Sequence, residues 1–138
     1  MSYPPEDPAS VDLGVPSLDA EHREQLQRMN RLGAAIAAGA PTRSIGDDLE
    51  SLIDYLEAHF MSEQILMREQ AYPAYEAHVR EHDEAIILLR KLQVRFHAGD
   101  LAALEDLVRG LRGWLIAHIQ SADRALSGFL QSKGIEMP

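Results

Sequence analysis

Seven residues of this chain have the types and spacing of a metal site. His59 and Glu63 stand four apart, as do His78 and His82. On a helix of about 3.6 residues per turn each pair shares one face, roughly 6 Å apart along the axis. His22, His118 and Asp123 are further ligand types at or beside core-facing positions. With no cysteine in the sequence, thiolate zinc sites, disulfide scaffolds and cysteine catalysis are excluded, and the metal chemistry left is that of imidazole with carboxylate.

The elements that must position these residues are legible as amphipathic periods. The fold class expected is all-α, an antiparallel up-and-down four-helix bundle over residues 17–134 behind an extended N-terminal arm, 1–16, rich in proline. The first helix carries Leu18, Leu26, Met29, Leu32, Gly33 and Ile36 on its apolar stripe, with His22 among them, and stops at Gly39 and Pro41. Ser44 with Asp47 has the form of a capping box for the second helix, whose stripe is Leu49, Leu52, Leu56, His59, Glu63 and Leu66. Pro73 is placed as a first-turn proline of the third, with Tyr75, His78, His82, Ala85, Leu89, Leu92 and Phe96 inward and Gly99 as a left-handed cap. Asp100 caps the fourth, whose stripe runs through Leu104, Leu107, Leu111, Leu115, His118, Ala122 and Phe129. Asp123 falls off that line: five residues are about 500° of rotation, so it must enter from the stripe's edge or be turned inward by a local bulge. No internal repeat, low-complexity tract or domain linker is evident.

Antiparallel order supplies a test of convergence. His22 near the start of the first helix, His59 and Glu63 late in the second, His78 and His82 early in the third and His118 and Asp123 late in the fourth all fall at one end of the bundle. A lone histidine on an apolar stripe is more often a hydrogen-bonded core residue than a ligand. Seven ionisable groups at the core of one small domain are different, because each would cost several kcal/mol if left unpaired. The sixth histidine, His97, lies far along the third helix and reads as a surface residue at the helix end. His78-Val79-Arg80-Glu81-His82 also fits the H-x-x-E-H pattern of a zinc protease with Glu81 as base, but Glu81 lies about 100° from His82, off the inward stripe.

The net charge of −9 is spread through the sequence with no basic run, which excludes nucleic acid as the expected partner. No apolar run is long enough to span a bilayer and the N-terminus lacks the pattern of a signal peptide, so the expectation is no membrane insertion and a cytoplasmic protein.

The order H, H-x-x-x-E, H-x-x-x-H, H-x-x-x-x-D resembles the hemerythrin family in its single-domain bacterial form. Flanking residues share the likeness: Leu13-Gly14-Val15, Leu18-Asp19-Ala20-Glu21-His22, His59-Phe60 through Leu66-Met67, and Trp114-Leu115-Ile116-Ala117-His118-Ile119, over residues 12 to 127. Bacterial members often carry a tryptophan in the arm, where this chain has Tyr3 and prolines. The resemblance implies two iron ions with an oxo or hydroxo bridge, joined also by Glu63 and Asp123. His78, His82 and His118 would hold one iron and His22 and His59 the other, where one open position takes dioxygen. Phe60, Trp114, Leu115 and Ile119 flank the ligands with apolar bulk; plain core packing accounts for each one singly, and that role is compatible with a lining that keeps water out. The function expected is reversible dioxygen binding for storage, delivery or sensing, with a possible protein partner receiving the oxygen. A di-iron enzyme reducing peroxide or nitric oxide, or an iron reservoir, is the alternative.

Overall fold

A computed structural model describes residues 12–134. The arm lies largely outside them. The element order is α1 (Pro16–Ala37), α2 (Thr42–Glu69), α3 (Tyr75–His97), α4 (Leu101–His118), a π-helical turn (Ile119–Asp123) and α5 (Arg124–Ser132). The last three form one continuous rod, because the junction residues Ile119 (φ −62°, ψ −45°) and Arg124 (φ −61°, ψ −43°) keep helical dihedrals. Each rod packs on two neighbours in the ring α1, α2, α3, α4, and no strand occurs among the described residues. The chain is a four-helix bundle.

The ends of the helices follow local chemistry. Gly39 (φ +67°) and Gly99 (φ +77°) sit in the left-handed region and close α1 and α3 with the same paired bonds. Ala40 N–H donates to the Ala35 carbonyl and Gly39 N–H to Ile36, and Asp100 N–H donates to Arg95 and Gly99 N–H to Phe96. Asp100 caps α4 by accepting from Ala103 N–H at 3.1 Å. At the entrance to α1, Asp19 takes Leu13 N–H at 2.6 Å and Gly14 N–H at 3.2 Å, fixing the approach of the chain.

Several expectations are corrected. Ser44 and Asp47 do not form a capping box: α2 starts at Thr42 after Pro41, with no side-chain cap, so both lie inside the helix. Pro73 belongs to the turn before α3, which starts at Tyr75. Met67, fully buried, takes the inward place expected of Leu66, and Val108 that of Leu107. Past His118 the stripe is displaced by one residue. Asp123, Leu126 and Leu130 are buried where Ala122 and Phe129 were expected, because the π turn absorbs one extra residue and carries everything after it round by that residue.

The core is divided. A large apolar cluster that runs from Leu13 and Leu26 to Ile119 fills most of the bundle, and a smaller one of Val15, Leu18, Met67, Tyr72, Leu126 and Leu130 closes one end. On each rod the predicted ligands fall where the large cluster gives way to the small one.

Candidate metal centre

All seven predicted ligands are buried, none more than 3% exposed. They converge in two overlapping groups, Glu63 with His78, His82, His118 and Asp123, and His22 with His59, Glu63 and Asp123, each with donor atoms within 4.8 Å of one another. Five donors face one point and four the other, with both carboxylates common to the two. The bulge expected as one way to bring in Asp123 is the π turn. An i to i+5 period puts His118 and Asp123 on one face, as an i to i+4 period does for His59 and Glu63.

The two carboxylates divide their oxygens between the groups. Glu63 Oε1 lies 3.0 Å from His78 Nε2 and 3.1 Å from His82 Nε2, while Oε2 lies 2.9 Å from His59 Nε2 and 3.9 Å from His22 Nε2. Asp123 Oδ1 lies 3.0 Å from His78 Nε2 and 3.1 Å from His118 Nε2, and Oδ2 lies 3.0 Å from His22 Nε2. Several of these contacts have hydrogen-bond length without hydrogen-bond geometry: Glu63 Oε2, both Asp123 oxygens, His22 Nε2 and His118 Nε2 have no hydrogen-bond partner. Their lone pairs point at shared space rather than at each other. Two donors at right angles around an ion, each bonded at roughly 2.1 Å, would stand about 3.0 Å apart, so the residues fit a metal pair.

Two further acids, whose part the sequence did not reveal, set the imidazoles. Glu21 Oε1 lies 3.1 Å from His59 Nδ1, and Glu81 Oε1 lies 2.9 Å from His118 Nδ1. A carboxylate can only accept, so each Nδ1 carries a hydrogen, and each Nε2 is the nitrogen whose lone pair a cation could take once its own proton has left. Glu81 is thus tied to a ligand on the neighbouring helix rather than free as a base. The available signal was position: each acid directly precedes a ligand histidine. His22, His78 and His82 have no such partner at Nδ1.

The buried groups also compensate one another's charge. Burial works against a charged His59, but the Glu63 charge 2.9 Å away and the bond to Glu21 push its pKa up to about 10. Burial likewise opposes charge on His78, yet the Asp123 carboxylate 3.0 Å away and the bond to Glu63 raise it to about 9. At His82 burial wins and the pKa falls, with His78 and His118 adding to the repulsion. Glu63 and Asp123, despite the burial that favours their neutral forms, are held well below the usual carboxylate range by the histidines around them. A cation entering the site therefore displaces protons from imidazoles.

Of the expected lining, Phe60, Leu115 and Ile119 are buried and Trp114 is half-buried. Phe60 stacks on His82 with ring centroids 4.1 Å apart, and Trp114 stacks on His118 at 4.7 Å. Both rings rest on histidines of the five-donor group. His97 is exposed at the last residue of α3, away from the site. No helix among the described residues is long and apolar enough to cross a membrane.

Comparison with known proteins agrees with this geometry. The family model of the hemerythrin HHE cation binding domain matches residues 13–130. A bacteriohemerythrin of Methylococcus capsulatus is 36% identical over 116 residues, covering 84% of this chain and 88% of its own length. Hemerythrin subunit 2 of Golfingia vulgaris is 30% identical over 132 residues, 93% of this chain and 98% of its own. A crystal structure of wild-type hemerythrin superposes with a TM-score of 0.81 at 31% identity, covering 92% of this chain and 97% of that one. By family model, by sequence identity and by fold, the chain belongs to the hemerythrin family.

Proposed function

We propose that this chain binds dioxygen reversibly at a non-haem di-iron centre, as a store, a carrier or the receiving part of a sensor, and is not an enzyme. The observation that carries the reading is the sharing of Glu63 and Asp123 between a five-donor and a four-donor group, one oxygen to each side. In this reading His78, His82 and His118 would hold one ion and His22 and His59 the other, with Glu63 and Asp123 common to both. A ferrous pair supplies the electrons that dioxygen takes up on binding and returns on release.

The protein's own part is positioning and exclusion. Glu21 and Glu81 fix two imidazoles in one tautomer and orientation. Phe60, Trp114, Leu115 and Ile119 place apolar bulk against the ligands, which keeps water and proton donors from ending the cycle with oxidised metal. Imidazole outnumbers carboxylate among the ligands, and the scarcity of anionic donors favours release of dioxygen over its cleavage.

The test is an iron count followed by spectroscopy on the full chain. Two irons per chain, and a visible charge-transfer band that forms in air after anaerobic reduction and vanishes on deoxygenation, are expected. One iron or none, or a band replaced at once by ferric protein with steady turnover of peroxide or nitric oxide, would sink the carrier reading.

A further inference from the structure

Gln25 is fully buried on α1, and neither its amide nitrogen nor its amide oxygen has a hydrogen-bond partner among the described residues. Buried amides are almost always paired, so a doubly unpaired one calls for a partner beyond the described residues. It stands three residues after His22, which makes the two neighbours on one helix face. Helical side chains lean toward the N-terminus of their helix, and that lean carries the amide back over the turn bearing His22. Leu26, the next residue, joins the large apolar cluster, so this stretch of α1 faces the interior.

The metal group beside Gln25 is the one with four donors. On α3, beside the five-donor group, the residue three after His82 is Ala85, equally buried and without a polar atom. Of these two matched positions, it is the one beside the group with room for another ligand that carries a polar side chain. On the di-iron reading above, from which this step follows, we infer that the Gln25 amide N–H donates a hydrogen bond to the small ligand held at the four-donor position, dioxygen or a small anion. A donor there stabilises the negative charge that such a ligand carries, in a setting where burial strengthens the bond.

The test uses the full chain loaded with iron and oxidised, titrated with azide and followed by its visible absorption. Gln25→Leu is expected to keep the iron content of the unsubstituted chain and to bind azide about tenfold more weakly. Without metal, the same variant is expected to melt at a higher temperature than the unsubstituted chain, since an unpaired amide gives way to apolar bulk of similar size. Unchanged azide affinity with the iron retained overturns the inference and leaves the di-iron reading standing. An unsubstituted chain that takes up no iron overturns that reading, and this inference with it. A metal-free variant that melts lower shows that the amide is paired within the protein, which also overturns the inference.

Discussion

In the first half of the bundle Glu21 and His22 on α1 stand against His59 on α2, and in the second half Glu81 and His82 on α3 stand against His118 on α4. The correspondence extends along the rods. Leu18 and His78, Gln25 and Ala85, and the capping Gly39 and Gly99 are each sixty residues apart. On the second member of each half, Leu52 and Leu111, Leu56 and Leu115, and His59 and His118 are fifty-nine apart, all of them buried. Past the π turn the interval returns to sixty, with Glu63 matched to Asp123 and Met67 to Ser127. The halves share a plan of buried positions, and the inequality of the two metal groups comes down to one place, where α1 has the buried Leu18 and α3 has the ligand type His78.

Breaking what the halves share has the largest expected effect. Glu63→Ala or Asp123→Ala removes a residue common to both groups, and iron content should fall from two to below one per chain by elemental analysis; retention of both irons would show that neither carboxylate joins the groups. Copying the second half into the first comes next. Leu18→His places an imidazole where α3 has His78, so the chain should keep its iron while azide affinity drops by about tenfold or more. Equal azide affinity would mean that the four-donor group is not where ligands enter.

Removing the supporting acids should be milder. Glu21→Ala and Glu81→Ala are each expected to lower iron affinity roughly 10- to 100-fold in competition with a chelator. A loss confined to one of them would show that the halves are matched in sequence but not in strength. A pH series on the metal-free chain probes the shared charge network. His59 at about 10 and His78 at about 9 lie above their ordinary 6.5, so the stability they contribute is complete below pH 6.5 and is lost as pH rises through 9 to 10. Glu63 and Asp123 lie below their ordinary 4.5 and 3.8, so their contribution is present above that range and disappears as pH falls through their lowered values. The melting temperature should therefore peak between the two and decline toward pH 10. A flat profile from pH 6.5 to 10 would contradict the network. The smallest change is expected from deleting the exposed Ser121 together with Asp123→Glu, which turns the fourth rod into the H-x-x-x-E form of α2. Iron content should stay at two, and its collapse would show that the π turn does more than absorb a residue.

Much of this was legible in the residues. Helix period alone placed His22, His59, Glu63, His78, His82 and His118 inward, because a ligand that replaces a core residue keeps the core's spacing. Asp123 was legible as a ligand type out of phase, and the π turn is the physical answer to that phase error. The same turn explains why Ala122 and Phe129 were misplaced: a strict 3.6 period cannot register a local widening. The Glu21 and Glu81 bonds cross between helices, and periodicity gives a side chain's face but not its partner. Gln25 was hidden by its neighbour, since Leu26 completes the apolar stripe without it. The kinship of the halves escaped notice because it lies in which positions are buried, while few residue identities repeat.

Glu21 and Glu81 are 36% and 37% exposed, whereas the rings they hold are at most 2% exposed. Each reaches from water at one end to a buried imidazole at the other. A carboxylate that pulls harder on Nδ1–H makes the opposite nitrogen a stronger electron donor, and a cation seated on that carboxylate weakens the pull. On the reading proposed above, the basicity of two imidazoles sealed inside the bundle would therefore answer to charge at the surface, at two places and without opening the core.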